Sequence, residues 1–299
     1  MTTDIIKPSG PPIEETIDKP KETQVYAVGA LKGGTGKTRI AMLIALILAV
    51  VFRKKVVVFD ADSASQTSSS WPLKARQRGY EWTIEVIRHP FETLDREIDK
   101  VIARGDVDIL VVDVGGGNVA AFQAAVKKAN KLIVPLCPDE GDLEQAPKTR
   151  DSALMAASRN VVGCEMFYVL SRCENSRDKG DARDMLLGVP EDDPDGPYPL
   201  LDTDIPMLVA YKRAFGRIPQ MKSNAADPDC PRWKDLVGFV PMLLETEILT
   251  AEEVLSASLM TKREVASMVP MLVREEIMTT EKVIELGIMN ERELESAAV

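Results

Sequence analysis

The 299-residue sequence predicts an α/β protein, a mostly parallel sheet wound with helices on both faces. Three observations predict it. Short runs rich in Val, Ile and Leu recur along the chain, each followed by a helical pattern, as strands buried on both faces demand. Those runs end in glycines and acids, and the carboxyl ends of parallel strands are where such sheets hold ligands. An apolar content of 45% beside 28% charged residues suffices for a buried core.

The elements follow in order. VYAVGAL (25–31) reads as a buried strand, and the glycine-rich turn after it leads into an apolar stretch over 39–52, long enough for a helix. VVVFDAD (56–62) is a β-branched strand ending in acids, WTIEVI (82–87) fits a third strand, and FETLDREIDKVIARG (91–105) has helical spacing. VDILVVDVGGG (107–117), NKLIVPLCP (130–138) and MFYVLSRC (166–173) repeat the strand theme. EDDPDGPYPL (191–200) and AADPDCP (225–231) are proline-punctuated loops or linkers. Residues 1–24, with four prolines and many charges, read as a flexible arm, with a partner-binding tail as the functional alternative.

Beyond residue 240 the chain repeats itself. PMLLETEILTAEEVLSASLMTKREVASMV (241–269) aligns without a gap with PMLVREEIMTTEKVIELGIMNERELESAA (270–298), a period of 29 residues. Thr250/Glu253, Thr261/Glu264 and Asn290/Glu293 have capping-box spacing. Leu249/Val254, Met260/Val265, Met278/Val283 and Met289/Leu294 have the spacing of hydrophobic staples around the same caps. Four short helices in two hairpins are expected, so the domain reading is an arm over 1–24, an α/β body over 25–240 and an all-helical extension over 241–299.

Composition excludes several functions. Four cysteines without CxxC spacing argue against a disulfide framework or a zinc ribbon and fit a reducing cytoplasm. One histidine, His89, leaves no histidine-cluster metal site. The longest apolar run, 40–52, has 13 residues, too few for a membrane-spanning helix, and no basic start precedes an apolar stretch. A soluble, intracellular protein is expected. The net charge of −10 is unevenly placed: residues 241–299 carry −7 and residues 1–24 carry −2, so the body is close to neutral and has room for a basic face.

LKGGTGKT (31–38) carries most of the functional weight. It sits between a strand and a helix, the context a phosphate loop needs. Gly33, Gly34 and Gly36 let successive N–H groups, Thr35's among them, turn inward toward phosphate oxygens. The helix that follows presents its positive end to the same anion. Lys37 would neutralise the β- and γ-phosphates and Thr38 would place a hydroxyl on Mg²⁺. The usual glycine five residues before Gly36 is replaced by Leu31, and a lysine, Lys32, stands one position later. The plain alternative is a glycine-rich turn that binds nothing, disfavoured by the strand, the helix and the acidic strand ends around it.

KGGTGKT (32–38) resembles the deviant Walker A sequence of the ParA/MinD superfamily of dimerising ATPases, and the resemblance spans about residues 25–220. FDAD (59–62), VVDVGGG (111–117), KLIVPLCPDEGDLE (131–144) and TDIPMLVAYKRAFGRIP (203–219) resemble the family's later blocks in the right order. The resemblance implies a SIMIBI-like P-loop fold that uses ATP and Mg²⁺. It implies that Lys32 reaches the partner subunit's nucleotide across a dimer, and that Asp62 positions the attacking water beside Lys37. It further implies that Asp60 and Asp113 support the Mg²⁺ shell with Thr38, and that Gly115, Gly116 and Gly117 form the γ-phosphate-sensing switch loop. Those three glycines imply a loop more mobile than the proline-rich one usual there. Ser63-Ala64-Ser65-Gln66 replaces the usual Pro-Gln after Asp62, and Ser171 lies where relatives often carry an adenine-reading Asn. The cysteines do not complete the cluster-bridging pattern of the nitrogenase iron protein.

Within the superfamily, the acidic C-terminal segment argues against a MinD-like membrane helix. Lys212, Arg213, Arg217 and Lys222 form the densest basic cluster after the core, at a segment that contacts DNA in relatives. An ordinary solvated helix face is the alternative. The expected function is a ParA-like partition ATPase: a homodimer on ATP binding, holding non-specific DNA, cytoplasmic and nucleoid-associated, and stimulated by a ParB-like centromere-binding adaptor. The second reading is a MinD-like or cargo-positioning switch acting through the helical repeats. A metabolic ATP-dependent ligase is a third, and no convergent second-substrate set supports it.

Overall fold

The computed structural model describes residues 22–188 and 197–297. Residues 1–21 of the predicted arm and 191–196 of the predicted linker lie outside the described residues. Seven strands form the sheet: β1 Gln24–Gly29, β2 Val56–Ala61, β3 Glu85–Arg88, β4 Ile109–Val114, β5 Lys131–Leu136, β6 Glu165–Cys173 and β7 Ile205–Pro206. Their order is β3-β2-β4-β1-β5-β6-β7, and every pairing is parallel. It is a P-loop NTPase sheet of the SIMIBI kind.

The body helices are α1 Lys37–Leu46, α2 Thr67–Gln77, α3 Leu94–Ile102, α4 Val119–Val126, α5 Glu140–Leu143, α6 Ala146–Ala157, α7 Ser176–Leu187 and α8 Val209–Arg213. Strand alternation divides the core into two layers. Tyr26, Val28, Val56, Val58, Ile109 and Val111 face one layer with α1, Trp71 of α2 and Tyr211 of α8. Val25, Ala27, Val57, Phe59, Leu110 and Val112 face the other, against α3, α4, α6 and α7. The predicted helix over 39–52 begins at Lys37 and ends in a π-helical turn, Ile47–Val51. From Ile40 to Leu48 it is buried on every side, which is why its sequence shows no polar stripe.

The repeats hold six helices among the described residues rather than the four expected: α9 Phe239–Glu245, α10 Ala251–Ser256, α11 Lys262–Ala266, α12 Val269–Arg274, α13 Thr280–Glu285 and α14 Glu291–Ser296. Pro241 and Pro270 fall in the first turns of α9 and α12, where a proline lacks nothing the helix needs. The capping boxes at Thr250, Thr261 and Asn290 form with both reciprocal bonds. Thr279 caps α13 through the Lys282 amide, without a box. Glu247, Ser258, Glu276 and Gly287, each just past a helix end, share the left-handed conformation.

The repeats divide their burial. Phe239, Leu243, Leu249, Val254 and Leu259 join the α1 layer of the body, so the first repeat closes the core that α1 needs. Val265, Val269, Leu272, Val283 and Leu294 form a separate core within the extension. Glu245 of α9, buried, accepts hydrogen bonds from the Asp202 amide at 2.8 Å, the Thr203 amide at 3.0 Å and the Thr203 hydroxyl. That clamp ties the extension to the segment leading into β7. Among the described residues, no helix is long and apolar enough to cross a membrane.

Candidate phosphate-binding site

The carboxyl ends of β1, β2 and β4 converge on a cavity of ≈ 880 Å³, lined by Lys32, Gly33, Gly34, Gly36, Lys37 and Thr38, with Asp62, Gly116 and Gly117 opposite. Gly34 at φ +89° and Gly36 at φ +90° carry the loop through the left-handed region, where side chains are strained. Gly36 caps α1, whose free N–H groups open on the cavity and suit an anion. Lys37 is 6% exposed and its ammonium donates to the Lys32 carbonyl beneath the loop. Desolvation lowers its pKa, against the opposing pull of Asp113, Asp62 and Asp142.

Register places the acids. Asp60 and Asp113 are paired neighbours on β2 and β4 and point to the α1 side. Asp113 is fully buried, and desolvation pushes its pKa up to about 7 despite hydrogen bonds from Ser68 at 2.7 Å and from Thr38. Its Oδ1 and the Thr35 hydroxyl are buried without a hydrogen-bond partner. Groups left so are costly unless a ligand completes them, and this pair fits a phosphate oxygen and a hydrated divalent cation. Both oxygens of Asp60 are occupied, accepting from the Asp62 amide at 3.2 Å and the Ser69 amide at 2.7 Å. Asp60 therefore shapes the Asp62 loop in this arrangement.

Asp62 lies on the cavity wall. Burial raises its pKa, but the Ser65 hydroxyl at 2.5 Å, the Ala64 and Ser65 amides and Lys37 outweigh that and lower it overall. An ionised, oriented carboxylate positions a water better than it removes a proton. Ser65, one of the residues replacing the usual Pro-Gln, supplies part of that orientation.

Gly115 and Gly116, after β4, lie close to their neighbours, whereas Gly117 is open. A Cβ on Gly115 would sit 2.6 Å from Asp62 Cγ, and one on Gly116 would sit 2.8 Å from the Gly33 amide nitrogen. The Gly117 amide donates to the Leu31 carbonyl at 2.8 Å. Gly115 and Gly116 let this loop thread between Asp62 and the phosphate loop.

Folding brings further groups to the loop. Ser68 holds Asp113, Thr149 accepts the Leu31 amide at 3.3 Å, Ser171 donates to the Thr35 carbonyl at 2.6 Å and Arg172 donates to the Gly34 carbonyl. All sit on other elements, brought in by folding.

The CobQ/CobB/MinD/ParA nucleotide binding domain matches residues 26–287. The chain belongs to this family. Its fold is similar to that of apo McdA from Cyanothece, at 15% identity over 74% of this chain and 99% of that one, with a TM-score of 0.54. It is also similar to the septum site-determining protein MinD of Pyrococcus horikoshii OT3 complexed with Mg-ADP, at 17% identity over 77% and 98% of the two chains, again with a TM-score of 0.54. No curated protein matches the sequence.

Two further features of this CobQ/CobB/MinD/ParA family member bear on the predicted residues. Lys32, the additional lysine, lies 3.9 Å from the buried Asp142 carboxylate of its own chain, and its side chain is 43% exposed. The predicted basic cluster is partly neutralised: Arg217 is ion-paired with Asp227 at 2.7 Å and Arg213 with Asp229 at 3.3 Å. Lys212 and Lys222 are exposed and, among the described residues, make no ion pair within 4.0 Å. Cys137, Cys173 and Cys230 are buried and free, without a disulfide. Burial raises the Cys137 thiol to about 12, keeping it unreactive.

Proposed function

We propose that this chain is a ParA-like ATPase that dimerises on ATP, holds DNA without sequence preference and drives replicon partition with a ParB-like adaptor. The observation that carries it is the pairing of a desolvated Lys37 under a glycine loop with buried, uncompleted Asp113 and Thr35 groups. Gly33, Gly34, Thr35 and Gly36 cradle the triphosphate through backbone N–H groups, and Lys37 neutralises its β- and γ-oxygens. Thr38 and Asp113 would hold Mg²⁺, with Asp60 behind them, and the ion would supply positive charge beside the phosphates. Asp62 orients the water for in-line attack, and Gly115–Gly117 carry the loss of the γ-phosphate outward. Lys32 leaves Asp142 to reach the partner's nucleotide.

The body over 25–240 is the ATPase domain and 241–299 its helical extension. Lys212 and Lys222 contact DNA phosphates, and Arg213 and Arg217 join them when released from Asp229 and Asp227. Those two ion pairs favour a second reading, a positioning switch that acts through the repeats. DNA co-sedimentation with ATP, ADP and no nucleotide across a salt series separates the two. ATP-dependent, salt-sensitive retention is expected; equal retention in all three states refutes partition. Lys37→Ala should abolish nucleotide binding, and Asp62→Ala should keep binding yet trap the dimer. Lys32→Ala should leave a monomer with ATP.

A further inference from the structure

A groove of ≈ 480 Å³ runs through the helical extension and shares no lining residue with the phosphate cavity. Its two sides are the same stretch of each repeat: Leu249 and Thr250 on one, Met278 and Thr279 on the other. In each repeat that stretch joins the first helix to the second, α9 to α10 and α12 to α13, so the groove exists because the repeats pack side by side. Leu244, Leu249, Leu272 and Met278 are buried beneath it, and the half-buried Ile277 and Leu286 complete an apolar lining. Its volume falls within the range of about 300–1,000 Å³ that bound groups fill.

The charge around this lining is one-sided. Glu247 and Glu252 line the groove and are exposed, and its one lining cation is Lys282 of α13. The Lys282 ammonium reaches across to Glu252 of α10 at 3.5 Å and also pairs with Glu285 at 3.1 Å. One ammonium therefore serves two carboxylates, and Glu247 makes no ion pair within 4.0 Å among the described residues. The extension as a whole carries −7, a surface that repels DNA phosphates and anionic lipid and attracts cations. This chain's own segments do not match it, since residues 1–24 carry −2 and a second copy's extension would bring another −7. An apolar groove with an acidic rim matches a segment that is apolar on one face and basic on the other, laid in as a helix.

We infer that the groove between the repeats docks a cationic amphipathic helix of a partner protein. Its apolar face covers Leu249, Ile277, Met278 and Leu286, and its lysines or arginines take over Glu252 and Glu285 from Lys282 and meet Glu247. Exposed ion pairs are weak, so the apolar contact supplies most of the affinity and the acidic rim selects the partner's charge. The inference does not rest on nucleotide binding, so either can fail without the other.

The test is fluorescence anisotropy of a labelled peptide, leucines and lysines at helical spacing over about five turns, titrated with the full nucleotide-free chain. Saturable binding is expected. Glu252→Lys and Glu247→Lys, both at exposed positions that leave the fold intact, should each weaken it by about tenfold or more, because each sets like charges together. Lys282→Ala should tighten it by about threefold, by freeing Glu252 and Glu285. Absence of binding, or affinities unchanged in both lysine variants, overturns the inference. Equal binding of a peptide with serine in place of leucine also overturns it, because general charge attraction then suffices. A peptide of residues 1–21 that binds as tightly would make that segment the occupant. Self-association of the nucleotide-free chain that Glu252→Lys abolishes in sedimentation would make a second copy the occupant. Either result overturns the assignment to a partner protein.

Discussion

Replacing Glu245 with alanine tests whether the helical extension is clamped to the body by one buried carboxylate. The side chain accepts three hydrogen bonds, from the Asp202 amide, the Thr203 amide and the Thr203 hydroxyl, at a position 4% exposed. Charge-assisted bonds of this kind are each worth about 1.5–3 kcal/mol. Burial raises its pKa overall, so for the charged form desolvation outweighs those bonds, and the loss on substitution comes mainly from the donors left behind. Removing the acceptor also leaves two amides and a hydroxyl without a partner. The net loss expected for Glu245→Ala is about 3–4 kcal/mol, close to what breaking a buried charged contact costs. For a chain of this size that is a fall in melting temperature of about 5–6 °C. Thermal melts of the full chain by circular dichroism measure it, with Glu245→Gln, which keeps one acceptor oxygen and the volume, expected to lose about half as much. A change below about 2 °C for the alanine variant would refute the clamp.

Three other outcomes follow from the same physics. Because burial raises the Glu245 pKa above its ordinary 4.5, the folded chain holds that proton more tightly than the unfolded chain. Its contribution is fullest below pH 4.5 and declines as pH rises through the folded value, so the stability difference between wild type and Glu245→Gln should shrink over that rise in urea melts. Asp113→Asn removes a carboxylate held near pH 7 by burial, so the nucleotide-free chain should gain about 2–4 kcal/mol at pH 8 while the melting shift caused by Mg-ATP disappears. Glu276→Gly, at φ +57°, should raise the melting temperature by about 2–4 °C, as left-handed backbone costs a side chain about 1 kcal/mol; an unchanged or lower melting temperature contradicts that assignment.

The strands, the phosphate loop and the capped helices were legible in the sequence because each rests on local physics. Alternation and β-branching mark a strand, glycines at Gly34 and Gly36 mark a left-handed turn, and Thr250 with Glu253 marks a helix start. What needed the tertiary structure depends on residues far apart in the chain. Helices α9 and α12 were not expected, because a proline is ambiguous between the end of one helix and the first turn of the next; packing of Leu243 and Leu272 resolves it. That Gly115 lies against Asp62 and Gly116 against Gly33 shows only in the fold. Arg217 read as a free cation until folding set Asp227 beside it. Sequence determined which chemistry is present, because periodicity and backbone preference act within a few residues. Only the folded chain decided which charges are paired, which polar groups are buried without partners and which glycines bear a contact, because those depend on distances that chain connectivity does not encode.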